Sequence, residues 1–464
     1  MDAIFAPQLL MNIFGIIVAV FVLGILIAVH ELGHLLMAKM CNIRVDTFSI
    51  GMGKPIMGFQ WGETYYQLGW LPFGGFCAFG DENSKKKDTD PRALVNSPLW
   101  GKILTVIGGS LFNIIFALLV LIILFSVGFQ EKNLSNKVYV TPNITMNGNV
   151  VESPAWVAGL RSGDVIINIS GQTISHFMDI PTALAYSKQT NQTITYIRGM
   201  ITNTVLFVPI NNKDTGLEII GVRPVQEAVV GDILSDGPAV KAGLRLGDRI
   251  KMVNQQPIVY FYELEEILAT NQSKPLRLEV ERAADILYLN VLPSQEENVW
   301  QIGVLAEKPQ EILVFQKAKN FPEAVSMSMR ELKTTIDQIL VSLSKLFSGK
   351  IDIQKNLSGP VRIVSITGSI AQTQNIVLLI RFMVMLSIAL AVFNMLPIPG
   401  LDGGALVLNV LRAMFGRFPL AEEIISKIEV FGIILLLVLA ALVFVNDIRN
   451  IIETKKNQTE MRNE

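Results

Sequence analysis

Val29-His30-Glu31-Leu32-Gly33-His34 stands inside an apolar run covering roughly residues 13–37. Ionisable residues at membrane depth are costly, so three of them in one apolar helix require a compensating partner. Residues four apart share a helix face, so His30 and His34 can grip one cation while Glu31 sits beside it. This is the H-E-x-x-H pattern of zinc hydrolases. The competing reading is coincidence, which leaves the buried charge unexplained in a chain with only three histidines. Two histidines do not complete a catalytic zinc site, which takes three protein ligands and keeps one position open for water. A third ligand must therefore come from elsewhere in the chain.

Composition agrees with a membrane protein that also has soluble parts: 50% of the 464 residues are hydrophobic and 17% are charged. The formal net charge of -1 predicts no nucleic-acid partner, because no strong basic excess is available to neutralise phosphates. The two cysteines, Cys41 and Cys77, form no C-x-x-C, which argues against a cysteine metal site or a disulfide framework. Residues 1–7 carry no Lys or Arg, and the apolar run that follows is too long for a signal-peptide core, so it is expected to remain as a first helix.

Four stretches reach spanning length, at about residues 8–40, 99–129, 375–410 and 430–447. The loop after the first carries Arg44, Lys54, Lys85, Lys86, Lys87 and Arg92, which by the positive-inside rule makes it cytoplasmic and leaves the N-terminus outside. Lys455, Lys456 and Arg462 argue the other way with less weight, since early helices usually dominate topology. Within the loop, Phe48-Ser49-Ile50-Gly51-Met52-Gly53 and the glycine-punctuated stretch 64–79 read as short strands dipping into the interface beside the metal. A loop merely packed on helix ends is the alternative. The lysines at 85–87 read as a solvated, membrane-facing cluster. In the second span, Gly108-Gly109-Ser110 and Asn113 suit either close helix packing or the lining of a site.

From about residue 130 to 309 the composition is that of a soluble protein, and it repeats. Ser153-Pro154-Ala155, Ala158-Gly159-Leu160-Arg161, Gly163-Asp164 and Ile166 return as Gly237-Pro238-Ala239, Ala242-Gly243-Leu244-Arg245, Gly247-Asp248 and Ile250. The pattern is a short helix ended by Gly, a tight Gly-Asp turn and a buried strand, used twice. It resembles PDZ domains in the permuted form attached to bacterial proteases. Such modules add a peptide to a sheet edge; as an alternative they act here only as steric spacers. His176, the third histidine, reads as an ordinary surface residue. Residues 324–347 are amphipathic at helical spacing and suit a membrane-surface helix, closed by a turn at Ser358-Gly359-Pro360.

The third apolar run contains the candidate ligand. Asn394-Met395-Leu396-Pro397-Ile398-Pro399-Gly400-Leu401-Asp402-Gly403-Gly404 places two prolines and three glycines in it, so the helix must break or kink. A broken helix at membrane depth usually lines a cavity, and Asp402 supplies a carboxylate there. Alternating the spans across the membrane puts His30, His34 and Asp402 at similar depth, near the cytoplasmic face. A plain helix-capping role for Asp402 is the competing reading.

Together these motifs resemble the site-2 protease family of intramembrane metalloproteases, over nearly the whole chain. The resemblance implies a multi-pass α-helical membrane protein of four transmembrane helices, with two tandem α/β PDZ-like domains between helices two and three. Residues 1–128 would hold helices one and two with the β-structured loop, 129–224 and 225–309 the PDZ-like domains, 310–374 the amphipathic membrane-surface segment, and 375–464 helices three and four. It implies a Zn2+ centre on His30, His34 and Asp402, with Glu31 as the catalytic base. Asn394, Pro397 and Pro399 would bind an unwound substrate backbone, and the strands near residues 65–73 would pair with it. The implied substrates are single-pass membrane proteins already trimmed outside, such as an anti-sigma factor, and remnant signal peptides, in the lipid of a bacterial inner membrane with the PDZ-like domains periplasmic. Ser110, Phe76-Cys77-Ala78 and Gly400 depart from the family's usual residues, which bears on substrate preference and not on the ligands. A metal transporter, a peptide-binding scaffold without catalysis, and another divalent ion on the same His2Asp set are the alternatives.

Overall fold

A computed structural model describes residues 2–79, 90–146, 149–186, 191–212, 218–271, 273–296, 299–349, 359–415 and 419–463 of the chain. The lysines at 85–87 and Ser358 lie outside the described residues. The chain divides into two units, Met1–Phe129 with Gln316–Glu464, and Gln130–Phe315.

The first unit holds four helices long and apolar enough to cross a membrane. They are α1 (Asp2–Met40), α2 (Leu99–Val127), α5 (Ile376–Asn394) and the stretch Glu423–Asp447 of α7 (Pro419–Asn463). Between them stand α3 (Phe321–Phe347), α4 (Pro360–Gln372) and α6 (Asp402–Phe415). The first helix ends where Asn42 takes a positive φ of 56° and Ile43 N donates to Ala38 O at 2.8 Å, a left-handed cap that satisfies an orphan carbonyl. The backbones of α1 and α2 touch: a methyl group on Gly33 would strike Gly108 O. That close approach is the service small residues provide where lipid offers no hydrophobic drive for helix association.

The amphipathic helix α3 turns its apolar stripe onto α2 and α5. Ala324 and Leu332 share a core with Ala117, Leu121, Leu124, Val384 and Ile388. Arg381, a charge within α5, is paired with Glu331 of α3 at 2.7 Å. At the end of the fourth span, Asp447 is 2% exposed and accepts from Gly359 N (3.0 Å) and Arg362 N (3.1 Å), so it closes the N-terminus of α4. A carboxylate there suits both the orphan N–H groups and the helix dipole.

The loop between α1 and α2 folds into β1 (Thr47–Trp61) and β2 (Thr64–Ala78), which pair twice. Segment 64–68 lies against 57–61 and also against 47–50, whose far side takes 75–78. The strands double back at Gly51, Gly53 and Gly74, whose φ values of 83°, 84° and 79° are open to glycine and costly for other residues. This path narrows one expectation. Of the stretch 65–73, residues 65–68 are paired on both sides and leave no edge for a substrate strand; among the described residues the open edges of this sheet are 57–61 and 75–78.

The second unit carries the repeat as structure. In one half the sheet runs Ile201–Phe207, Gln192–Arg198, Val165–Ile169, Gln172–Thr173; in the other it runs Asp285–Val291, Leu276–Arg282, Arg249–Val253, Gln256–Pro257, all antiparallel in the same order. The repeated Gly-Asp has a specific task. Asp248, wholly buried, accepts from Arg282 Nε at 2.7 Å, Arg282 Nη2 at 2.8 Å and Arg245 N at 2.8 Å. Asp164 does the same with Arg198 and Arg161 N, each at 2.8 Å. The halves meet through Tyr139, whose hydroxyl donates to Glu266 at 3.0 Å and whose ring packs on Tyr260 and Tyr262.

Candidate metal centre

Three polar side chains converge in the first unit. His30 and His34 project from one face of α1, as their spacing requires, and Asp402 opens α6 just after the interrupted stretch. His30 Nε2 lies 3.1 Å from Asp402 Oδ2, His34 Nε2 lies 3.5 Å from the same oxygen, and the two Nε2 atoms are 3.2 Å apart. Both imidazoles are buried, at 8% and 9% exposure.

Those separations test the fit of a metal. Ligands about 2.0–2.1 Å from a tetrahedral zinc lie about 3.3 Å from one another, close to all three edges here. The donor chemistry also fits, since two imidazoles and a carboxylate are a familiar catalytic zinc set. Asp402 Oδ2 is buried without a hydrogen-bond partner, which is costly for a carboxylate oxygen and is relieved by a cation. His34 is held in the necessary tautomer: its Nδ1 is 2.8 Å from Thr105 O, a carbonyl that only accepts, so the lone pair is on Nε2.

The surroundings are cut to size by glycine. A Cβ on Gly109 would strike His34 Nε2 and come within 2.6 Å of His30 Cε1. A Cβ on Gly75 would stand 2.7 Å from Glu31 Cγ, so the open strand edge at 75–78 passes directly over that glutamate. Cys77 Sγ, on the same edge, donates to Glu31 O at 3.3 Å. Gly403 and Gly404 lie against the carbonyls of Met395, Leu396 and Ile398, which lets α6 start tight under the broken segment. Gly432 of α7 packs on Pro399 from the other side.

The residues read from the sequence are thus placed as follows. His30, His34 and Asp402 come together, Glu31 faces the hairpin, and Asn394 Nδ2 lies 3.3 Å from His30 Nε2. Pro397 and Pro399 lie in the segment between α5 and α6. The third apolar run is two helices joined by a turn-rich break at 395–401, and Asp402 begins the second of them. The stretch 108–113 serves both packing and site: Gly108 meets α1, and Asn113 reaches His30 Nδ1 at 3.3 Å. His176 lies in the second unit, 3.7 Å from Asp179. Both cysteines are free. Thr105 and Gly75 are not marked for the site by the sequence; a backbone carbonyl and a missing side chain leave little signal in residue types.

Known proteins match along this same length. The chain is 27% identical over 449 residues to the regulator of sigma-E protease RseP of Salmonella typhimurium, covering 89% of this chain and 94% of that protein. It is also 27% identical over 429 residues to the zinc metalloprotease RasP of Geobacillus kaustophilus, covering 90% and 93%. The sequence model of peptidase family M50 matches residues 18–439, a stretch that includes the histidine pair, the strand-bearing loop, the repeats and Asp402. With the cluster of His30, His34 and Asp402 inside that match, the chain belongs to peptidase family M50.

Proposed function

We propose that this chain is an intramembrane zinc metalloprotease that hydrolyses peptide bonds in the membrane-spanning segments of single-pass proteins. The observation that carries the reading is the triad of His30, His34 and Asp402, assembled at tetrahedral spacing beside Glu31 in a helix apolar enough to span. Zinc, when bound, supplies Lewis acidity and lowers the pKa of water. Glu31 takes the proton of the attacking water and passes it to the leaving nitrogen. Asn394, Pro397 and Pro399 hold the unwound substrate backbone next to the ligands. Edge 75–78 supplies the hydrogen bonds that the substrate gives up when its helix opens, in the manner of strand addition.

The name of the Salmonella relative supports a trimmed anti-sigma factor as one substrate class, with remnant signal peptides as another. The basic loop after α1 supports an N-terminus outside, a centre near the cytoplasmic face of a bacterial inner membrane, and the repeated modules, PDZ-like and spanning 129–224 and 225–309, in the periplasm. The Tyr139 contact between the modules favours a fixed obstacle that rejects bulky substrates. Removing residues 143–309 from a folded, zinc-loaded protein should then admit an untrimmed substrate; continued rejection counts against the filter.

Purified protein in detergent, given a model transmembrane substrate, tests the central reading. Cleavage should stop with a chelator and return with zinc. Zinc uptake without cleavage of any spanning substrate would favour a transporter or a scaffold.

A further inference from the structure

A histidine binds metal only through a nitrogen whose lone pair is free, so something must fix where its proton sits. Thr105 O does this for His34. His30 has no carbonyl in that position. Its Nδ1 faces the side-chain amide of Asn113, which is 0% exposed, and the nearer amide atom is Nδ2, at 3.3 Å, while Oδ1 has no partner. An amide NH2 only donates. In that orientation Nδ1 accepts and the imidazole proton goes to Nε2, the atom that meets Asp402 and His34 and that also faces the amide Nδ2 of Asn394 at 3.3 Å, a donor that a protonated Nε2 cannot accept from. A neutral His30 so protonated has its lone pair on Nδ1, facing Asn113, and none on Nε2 for a metal.

The oxygen and nitrogen of an amide have the same shape, so their assignment follows from the hydrogen bonds and not from packing. Either orientation gives one amide group a partner in His30, and only one of them makes His30 a ligand. We infer that Asn113 turns its oxygen to His30, accepts from Nδ1–H, and is the positioning residue that fixes the tautomer of this ligand. The inference rests on the zinc reading above. Two features set the backbone and the space around the pair. Ser387 of α5 donates to the Asn113 backbone carbonyl at 2.9 Å, tying that turn of α2 across to the next span. One turn earlier, the absent side chain of Gly109 leaves room for both imidazoles.

The test compares three substitutions in the full chain in detergent, with zinc affinity read by competition against a chromogenic chelator. Asn113→Asp keeps an oxygen acceptor for Nδ1–H, whereas Asn113→Leu keeps the bulk and Asn113→Ala keeps neither. Loss of such a partner lowers metal affinity by about 10- to 100-fold, so the Leu and Ala variants should weaken by that factor and Asp should stay close to the parent. A packing role alone predicts the opposite order, because Asp adds a buried charge that Leu does not. Cobalt spectra of the monodisperse fractions give a second readout: the tetrahedral band should persist in Asp and weaken in Leu and Ala at equal cobalt. Leu binding zinc as tightly as the parent, or Asp falling as far as Leu, would overturn the inference. Failure of the parent chain to bind zinc would instead remove the metal reading itself.

Discussion

Gly109→Ala probes the metal pocket with a single methyl group. An ideal Cβ there stands 2.6 Å from His30 Cε1, and ordinary contact begins at 3.4 Å, so the ring must retreat by about 0.8 Å. It has nowhere convenient to go, since Asn113 contacts its Nδ1 and Thr105 O holds His34 on the other ring. Metal–ligand distances hold within about 0.2 Å, so a shift of that size removes a ligand from productive position. Misplacement by about 1 Å can cost about 100-fold, equivalent to about 2.7 kcal/mol in the barrier, and the loss in kcat/KM should be at least that large. Zinc affinity by chelator competition and cleavage of a model spanning substrate at saturating zinc measure the two consequences. Circular dichroism and gel filtration confirm that the variant is folded. An alanine variant with parental zinc affinity and parental cleavage would refute the claim that this glycine clears space for the imidazoles.

Glu31→Gln should retain zinc while losing about 100-fold or more in cleavage, because the amide keeps the shape and takes no proton; Asp402→Asn should lose zinc occupancy, a neutral amide being the poorer ligand. Metal analysis beside the cleavage assay separates the two, and near-parental turnover by the Gln variant removes Glu31 as base. In the second unit, burial alone pushes the Asp248 carboxyl up, but the hydrogen bonds from Arg282 and Arg245 N and the charges of those arginines outweigh it and hold it below the usual carboxylate range. A depressed folded value means that stability is present above the unfolded pKa near about 3.9 and is lost as pH falls through the folded one. Asp248→Asn should therefore cost about 1–3 kcal/mol at neutral pH, the partly exposed Arg282 being screened by solvent, and flatten the acid dependence, read as hydrogen exchange in strand Leu276–Arg282 of the full chain; unchanged exchange would contradict the pairing.

What the sequence made legible was whatever depends on residue type at fixed spacing. The pairing of His30 with His34 follows from helix geometry alone, and the proline and glycine content of 394–404 announces a break. The depth argument brought Asp402 to the histidines. The path of the break was not legible, because it depends on Gly403 and Gly404 accepting the carbonyls of Met395, Leu396 and Ile398 in the space where side chains would stand. The same reason hid the role of Gly75, which reads as strand punctuation and in the fold makes room for Glu31. The two arginines were visible but unused: Arg198 and Arg282 recur at the same interval as Asp164 and Asp248, yet an arginine on a strand looks solvated until its partner is known. That 65–68 is closed on both sides was not legible either, because a strand that doubles back gains a second partner, and pairing of that kind depends on positive φ at Gly51, Gly53 and Gly74.

The proposed metal ligands come from two separated parts of the chain, which would give the ion a structural role beside its chemical one. His30 and His34 are set by a single helix, but Asp402 reaches them only because α5, the broken segment and α6 are packed correctly. The links are few and specific: Gly33 on Gly108, Ser387 on Asn113 O, Gly432 on Pro399. An ion on all three ligands binds the assembled form and not the separated one, so it stabilises the assembly by RT ln(1 + [L]/Kd), about 4 kcal/mol at a thousandfold excess over Kd. A break that exposes backbone at membrane depth is the feature that needs such support. On the proposed roles, ligation and substrate access are coupled through the segment 395–401, which carries Pro397 and Pro399 and joins Asn394 to Asp402.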